Sequence, residues 1–374
     1  MNTLSTMQGA ISISGPKAPP VNPNIAGGWS ALGTGVNNEV KGISSINPSN
    51  VYMVGYFSQA NGTNVNYVAK WNGSSWSTIG SVGLNHIAHT VSILDASNIY
   101  IGGEFQQGFI AGGDVVWGNN IIRWTGSSWD ELGPGGNDYG TNNFVYGIHA
   151  LNSTNTYLTG RFTGAGDGNS IPVSRVARWT GTTWAALGSG LNGFGYAIWA
   201  VDTSNVYVGG EFTAAGGVAN TAYLGKWNGS AWSALGTGVN NYVYAISALN
   251  ASNVYVGGDF ITAGGVTVNR IAKWNGSSWS ALGSGTNGTV FSIHAYDASN
   301  IIIGGSFTEA GGITCNRVAK WNGSSWNAFG SGTVGVNSYV NAVRMVSPTT
   351  IYAGGAFTSA GGVSCNYIAK FTAT

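Results

Sequence analysis

A unit of 47 to 55 residues returns seven times along this chain, and few folds can accommodate such a repeat. Each copy carries a tryptophan that is followed three residues later by an apolar residue and a glycine. These tryptophans are Trp29, Trp76, Trp129, Trp184, Trp232, Trp279 and Trp326. Repeats of this period are typical of stacked or circular arrays, in which each unit buries its apolar faces against its neighbours. We therefore expect one continuous array.

Each unit reads as four short strands, which we name A to D in chain order. In the copy from Val243 to Gly283, β-branched and aromatic residues alternate with small or polar ones, and turn residues interrupt them every 8 to 12 positions. This pattern is typical of strands joined by tight turns. Asn-Gly or Thr-Gly connects strands C and D, as at Asn275-Gly276, and such pairs tolerate positive φ. The unit predicts a four-stranded antiparallel meander.

The two ends of the array predict a closed ring. The first D strand, around Trp29, precedes the first A strand, and the chain ends just after the seventh C strand at Tyr367–Phe371. The N-terminal strand is therefore expected to complete the last sheet. Seven sheets placed radially bury each face against a neighbour and leave only short edges. We expect an all-β, seven-bladed β-propeller of four-stranded antiparallel blades over residues 27–374, preceded by an extended arm over residues 1–26.

The repeat resembles that of known propeller families. A Gly-Gly pair ending strand B, an aromatic residue in strand C and a tryptophan in strand D are similar to the kelch repeat of galactose-oxidase-type propellers. The likeness spans Gly27 to Thr374. It is closer still to the Gly/Trp-rich repeats of secreted, cell-surface and viral propellers, including those similar to the fungal cortical-marker propeller. The resemblance implies the architecture and says little about activity, because propellers host unrelated functions.

Charge is scarce and balanced in this chain. Charged residues make up 7% of it, and the formal net charge is +1. We therefore expect no nucleic-acid partner, and no apolar run is long enough for membrane insertion. Seven of the 14 basic residues precede the aromatic residue of strand C. Their stems are expected to cover the blade while their charges pair with strand B acids such as Glu104, Glu211 and Asp259.

The N-terminus and the cysteines bear on where the protein works. Residues 1–20 lack the basic region and the continuous apolar run of a secretory signal peptide. The neutral surface of amides and hydroxyls nevertheless favours an extracellular location, or one at a virion or cell surface. Cys315 and Cys365 occupy the same repeat position in adjacent blades. Facing sheets lie about 10 Å apart, whereas a disulfide needs Cα atoms within about 7 Å of each other. We therefore expect two buried free thiols.

Binding residues are expected where the repeat varies in length. The longest connections are residues 106–119 and 134–144 in blades two and three, and loops on a rigid scaffold commonly carry binding sites. The predicted contact residues are Phe109, Asp114, Trp117, Asp138, Tyr139, Phe144 and, on an inner strand, Trp199. For Trp117, the alternative is that it covers the edge of blade two. Residues equivalent to Trp199 should line the central channel, namely Ser44, Ser92, His149, Ser247, His294 and Arg344.

The sequence gives little support for catalysis. The 13 acidic residues are scattered among strand B, turns and loops, and no nucleophile elbow or phosphate loop occurs. His86 and His89 have the spacing of a zinc-binding pair, yet a third ligand near them in the sequence is missing. Hence we expect no catalytic residues, no metal and no cofactor.

Two binding functions and one enzymatic function remain open at this stage. The first is an accessory or decoration protein of a virus particle or surface appendage, which docks onto a protein partner by its N-terminal arm and presents variable loops for protein or glycan contact. The alternative is a secreted propeller lectin that binds glycans by stacking and hydrogen bonds. A polysaccharide-cleaving enzyme would need a pair of carboxylates or a metal cluster at the channel mouth.

Overall fold

Seven antiparallel sheets stand around a central channel, as the repeat predicts. The computed structural model describes residues 24–81, 83–109, 115–133, 139–330 and 335–374. Each sheet is one blade, and its strands are labelled by blade number and by the letters A to D from the channel outward. All seven blades pair their strands in the order A-B-C-D. The predicted seven-bladed β-propeller is confirmed.

Strands A and B keep constant lengths of eight and six residues around the ring, whereas strand C has four to six residues and strand D two to five. The A strands of blades 1 to 7 are Val40–Asn47, Ala88–Asp95, Val145–Asn152, Gly195–Asp202, Val243–Asn250, Val290–Asp297 and Val340–Ser347. The B strands are Asn50–Gly55, Asn98–Gly103, Asn155–Gly160, Asn205–Gly210, Asn253–Gly258, Asn300–Gly305 and Thr350–Gly355. The C strands are Val68–Trp71, Ile121–Trp124, Val176–Trp179, Leu224–Trp227, Ile271–Trp274, Val318–Trp321 and Ile368–Ala373. The D strands are Trp76–Ser77, Trp129–Asp130, Trp184–Ala186, Trp232–Ser233, Trp279–Ala281, Trp326–Phe329 and, for blade 7, Gly27–Ala31.

Six of the B–C connections form short hairpins of their own. They pair Gln59–Ala60 with Thr63–Asn64, Gln107–Phe109 with Val115–Trp117, Gly164–Ala165 with Ile171–Pro172, Thr262–Ala263 with Val266–Thr267, Glu309–Ala310 with Ile313–Thr314, and Ser359–Ala360 with Val363–Ser364. The helical element among the described residues is a 3₁₀ turn at Asp167–Asn169. Within that described part of the chain, no helix has the length and apolarity needed to span a bilayer.

The Gly-Gly pair at the end of strand B is a packing requirement. In blade 2, a Cβ added to Gly103 would lie 2.3 Å from the carbonyl oxygen of Ile87, and one added to Gly102 would lie 2.6 Å from Cγ1 of Val145 in the next blade. Interiors packed to such density leave no room for a methyl group. Two residues further on, Phe105 is fully buried. The same Gly-x-Phe step therefore brings each B strand into the core that it shares with its neighbours.

The tryptophan of strand D fastens one blade to the preceding one. Trp279 Nε1 donates to the carbonyl oxygen of Leu235, which follows strand 4D, at 2.8 Å. The equivalent bonds are made by Trp76 to Leu32, Trp232 to Leu187 and Trp326 to Leu282. Each of these indoles thus joins apolar burial to a hydrogen bond across a blade interface.

The ring closes as the sequence predicts. Strand 7D pairs antiparallel with strand 7C, and Trp29 lies opposite Phe371. Their rings meet edge to face at 5.3 Å between centroids, and the Trp29 ring also contacts Phe329 of blade 6 at 6.1 Å. Just before this strand, Asn24–Ile25 pairs in parallel with strand 6D as a fifth strand of that blade. The N-terminal segment therefore bridges blades 6 and 7.

One predicted set of ion pairs is wrong. Lys70 of strand C lies opposite Tyr52 of strand B, and its Nζ is 5.5 Å from the centroid of that ring. The same stacking joins Lys226 to Tyr207 and Lys273 to Tyr255. The strand register places the basic residue opposite a tyrosine of strand B. The acids expected as partners lie one residue beyond the end of that strand; they are Glu104, Glu211 and Asp259.

The two cysteines are buried and free, as predicted. Burial raises the pKa of the Cys315 thiol to about 12 and that of the Cys365 thiol to about 11. Both side chains therefore stay protonated and act as small apolar groups of the core.

Candidate binding site on the loop-bearing face

A repeated asparagine holds the face that carries the B–C and D–A connections, which we call the loop-bearing face. The side-chain oxygen of Asn240, three residues before strand 5A, accepts the backbone N–H groups of Ile261 and Thr262 at 2.9 and 3.0 Å. The same pair of bonds recurs in all seven blades, through Asn37, Asn85, Asn142, Asn192, Asn240, Asn287 and Asn337. Each asparagine ties two connections of its blade together.

A polar groove lies between blades 2 and 3 on this face. It encloses about 520 Å³ and brings two predicted residues together, Trp117 and Phe144. Amide side chains complete its lining, including those of Gln106, Asn142 and Asn169. Trp117 and Phe144 are both partly exposed. The groove therefore offers two accessible ring surfaces beside several donors and acceptors.

Three other predicted contact residues do not line this groove. Phe109 lies in the small hairpin of the blade 2 connection and is partly buried. Tyr139 is buried and lines a smaller cavity of about 200 Å³. Trp199 lies in the central channel, where its ring packs on His149 at 4.4 Å between centroids. Two predicted residues lie outside the described part of the chain: Asp114 and Asp138.

An arc of aromatic side chains follows the inner rim of the loop-bearing face. The second residue of strand A is aromatic in blades 2 to 6, and we name these five residues the aromatic arc: His89, Tyr146, Tyr196, Tyr244 and Phe291. Centroids of neighbouring rings are 5.2 to 5.9 Å apart. All five side chains are partly exposed. The sheets thus line up a continuous run of rings around the channel mouth.

Hydrogen bonds fix the tyrosines of the arc. The hydroxyl of Tyr196 donates to Oε2 of Glu211 at 2.5 Å, and that of Tyr244 donates to Oδ2 of Asp259 at 3.4 Å. Burial and the adjacent carboxylate raise the pKa of Tyr244 to about 12, and the same causes raise the pKa of Tyr196. Both hydroxyls stay protonated at neutral pH, so the rings are held in place by bonds made at their tips.

Two carboxylates of the rim have close basic neighbours. Oε1 of Glu104 accepts a hydrogen bond from Nε2 of His89 at 2.8 Å, and Oε2 lies 3.9 Å from Nδ1 of His86. Lys41 contacts Glu39 at 2.7 Å. The pair of histidines singled out in the sequence therefore shares one carboxylate. Among the residues that the structure describes, no group of three His, Cys, Asp or Glu side chains is placed to hold a metal ion.

The central channel is a polar cavity of about 360 Å³. It reaches the rim at Lys41 and Tyr146, and its wall contains six of the seven predicted residues: Ser44, Ser92, His149, Trp199, His294 and Arg344. Strand A is the innermost strand of each blade, so one of its edges faces this channel. The wall is therefore built from side chains and from backbone groups together.

Side chains of one blade bond the inner strand edge of the next. Four backbone N–H groups donate to a side chain of another blade at 3.0 to 3.3 Å. The pairs are Ala150 to Ser92 Oγ, Ala200 to His149 Nδ1, Ala295 to Ser247 Oγ and Met345 to His294 Nδ1. Between blades 7 and 1, Arg344 donates to the side-chain and carbonyl oxygens of Ser45 at 3.0 and 3.1 Å. The channel residues therefore also seal the ring.

Sequence reasoning missed the asparagine ties and the aromatic arc. Both are columns of the repeat: the asparagine stands three residues before strand A, and the arc residue is the second of that strand. Residues one repeat apart become neighbours once the ring is formed. A column-by-column comparison of the seven copies would have shown both features.

Two family models match parts of the chain. Residues 276–361 match the Rax2 C-terminal β-propeller domain, and residues 350–374 match the β-propeller domain of unknown function DUF5122. The chain is a β-propeller. The models do not decide whether the propeller is of the kelch or galactose-oxidase type, which stays a prediction. No curated protein matches the chain.

Solved structures agree on the fold. The propeller is similar to YCF48 bound to a D1 peptide, at 14% identity and a TM-score of 0.55, over 94% of this chain and 99% of that one. It is similar to the GH74 xyloglucanase from Xanthomonas campestris, at 11% identity and a TM-score of 0.51, over 88% of this chain. A third similar structure is the extracellular domain of a protein assigned to the hybrid two-component systems of B. thetaiotaomicron, at 11% identity and a TM-score of 0.56, over 93% of this chain. The propeller covers 53% and 39% of those last two chains.

Proposed function

We propose that this protein is a non-catalytic binding module that takes a segment of another protein on its loop-bearing face. The observation that carries the proposal is the aromatic arc, five ring systems placed side by side around the channel mouth. Aromatic rings provide large apolar contact areas, and rings already fixed in position lose little entropy when a ligand binds. Such a surface is suited to an extended polypeptide.

Further observations support a binding role. Two acids of this face hold tyrosines of the arc in place, because Glu211 accepts a hydrogen bond from Tyr196 and Asp259 accepts one from Tyr244. The asparagine ties give the loops a rigid base, which favours binding without a large rearrangement. YCF48, whose propeller is similar over nearly its whole length, was solved with a peptide bound.

The test is selection from a displayed library of random peptides. The selected peptides are expected to bind the wild type and to bind the variant Tyr146→Ala/Tyr244→Ala at least tenfold more weakly. The matched control is Tyr296→Ala, which removes an exposed tyrosine at the far end of strand 6A. Failure to select any peptide, or equal affinities for the arc variant and the wild type, would refute the proposal.

Glycans are the second candidate ligand because of the groove between blades 2 and 3. Trp117 and Phe144 lie there beside several amide side chains, and rings with amides nearby both stack on sugars and bond their hydroxyls. A glycan array probed with multivalent protein tests this function. Signals that disappear in Trp117→Ala and persist in Tyr296→Ala would support a lectin, whereas a blank array would exclude it.

We further propose that residues 1–26 attach the module to a particle or cell surface outside the cell, through a protein partner. Their composition supports this role, since they hold one charge, Lys17, and four prolines. A truncation of residues 1–23 keeps Asn24–Ile25 on blade 6 and tests the idea. The full chain should sediment with particles or envelopes of its source in a density gradient. The truncated chain should melt at the same temperature and stay unattached; equal sedimentation would contradict the attachment role.

A further inference from the structure

The seals between blades leave hydrogen-bond donors on the channel wall. Nδ1 of His149 accepts the N–H of Ala200, and Nδ1 of His294 accepts the N–H of Met345, both at 3.3 Å. A neutral imidazole that accepts through Nδ1 carries its proton on Nε2. Because both side chains line the cavity, each histidine offers it an Nε2–H group.

Both histidines are neutral near pH 7. Burial and the positive charge of Arg344 lower the pKa of His149 to about 4, and the same causes lower the pKa of His294 well below its usual value. Two serines of the wall follow the same rule. Ser92 and Ser292 accept backbone N–H groups at 3.0 and 3.1 Å, so their own hydroxyl protons remain available as donors.

Arg344 gives this donor-rich cavity its positive charge. Its guanidinium donates to the side-chain and carbonyl oxygens of Ser45, and both of these acceptors are neutral. Among the described residues, no Asp or Glu lines the cavity. Burial lowers the pKa of Arg344 to about 10, so it remains a cation at pH 7. Arg344 is partly exposed to the cavity, and a bound anion would supply the counter-charge that the described residues of the wall lack.

We propose that the central channel binds a small oxyanion at Arg344, with the Nε2–H groups of His149 and His294 as further donors. The oxyanion is a phosphate group or a ligand carboxylate, since both accept hydrogen bonds from guanidinium and imidazole groups. It enters from the loop-bearing face, where Lys41 and Asn341 line the upper part of the cavity. Arg344 stands three residues below that rim, which is about 10 Å along a strand.

Arg344 lies deeper than the protein-binding surface proposed above, although His89 and Tyr146 of that surface also line the cavity. Of the rim carboxylates, Glu39 is paired with the cation Lys41, so its charge opposes the entry of an anion less than a free carboxylate would. The cavity of about 360 Å³ has room for an anion as large as citrate.

The experiment is a titration of the full chain with inorganic phosphate and with citrate at constant ionic strength. Imidazole NMR signals of His149 and His294 report binding in the wild type. Saturable shifts with phosphate alone assign a phosphate site, saturable shifts with citrate alone assign a carboxylate site, and both outcomes support the proposal. Shifts that grow linearly with each anion, or no shifts, would overturn it.

Variants locate the anion. Arg344→Met is expected to weaken binding by about tenfold or more, because it removes the charge-assisted bonds. The matched control is Arg178→Met, the same substitution in strand 3C, which is the third strand out from the channel in another blade; this variant should keep wild-type affinity. Equal affinities for Arg344→Met and the wild type would overturn the assignment. If Arg344→Met does not fold, the wild-type NMR titration decides the question.

Discussion

Acid should destabilise this propeller through its channel histidines. The pKa of His149 is lowered to about 4 by burial and by Arg344, against 6.5 when the side chain is free in water. Between these values the unfolded chain binds one proton more than the folded protein, so the free energy of unfolding falls as the pH falls. One pKa unit corresponds to about 1.4 kcal/mol, so His149 alone should lower the free energy of unfolding by about 2.5 kcal/mol between pH 7 and pH 4.5.

The informative substitution is His149→Asn. The asparagine oxygen takes the place of Nδ1 as acceptor for the N–H of Ala200, and nothing at this position titrates any longer. Urea unfolding of both proteins from pH 7 to pH 4.5 gives the free energy of unfolding at each pH. The difference in free energy of unfolding between the variant and the wild type should shift by about 2.5 kcal/mol in favour of the variant between pH 7 and pH 4.5, whatever its value at pH 7.

Two results would refute this reasoning. The first is a pair of stability curves that stay parallel down to pH 4.5. The second is an NMR titration of wild-type His149 with a midpoint near 6.5, since the channel would then not disfavour the charged ring. Removing the repulsion in Arg344→Met should shift that midpoint upward, because Arg344 is the charge that acts on both channel histidines.

Three further predictions concern stability. Trp279→Phe should cost at least about 1 kcal/mol more in urea unfolding than Trp29→Phe, because Trp279 Nε1 bonds Leu235 whereas buried Trp29 Nε1 has no partner among the described residues. Asn240→Ala frees two backbone N–H groups, so it should cost about 1 to 2 kcal/mol and raise amide exchange at residues 261 and 262. Deleting residues 1–31 removes strand 7D and should lower the melting temperature and cause aggregation through the exposed edge of strand 7C, whereas deleting residues 1–23 should do neither.

The ring and its closure could be predicted because they follow from counting. The sequence contains seven D-strand tryptophans, and the first of them precedes the first A strand. The C-terminal sheet therefore lacks a D strand of its own, and the N-terminus has one D strand to spare. Pairing of Trp29 with Phe371 needs nothing else. The lysine contacts could not be predicted so simply, since they depend on which residue of strand B stands opposite Lys70.

The candidate site was predicted only in part, for a related reason. Variation in loop length pointed to Trp117 and Phe144, which meet in one groove. Loop length carries no information on which side chains converge from different blades. Tyr146 and Tyr196 are a whole repeat apart in sequence, yet their ring centroids are 5.8 Å apart, because the second residues of the A strands gather around one opening.

The positive character of the channel follows from the way the ring is sealed. Each strand A turns one edge toward the axis, and its N–H groups take up acceptor atoms such as Ser92 Oγ and His149 Nδ1. The hydroxyl protons of the serines and the Nε2–H groups of the histidines take no part in these seals. They therefore remain available as hydrogen-bond donors to the channel. Because the loops take no part in these bonds, substitutions on the loop-bearing face can alter the protein partner while anion binding at Arg344 persists. Because Tyr146 also lines the cavity, the clean comparison uses Tyr244→Ala, which should weaken peptide binding and keep the affinity for the anion, and Arg344→Met, which should do the reverse.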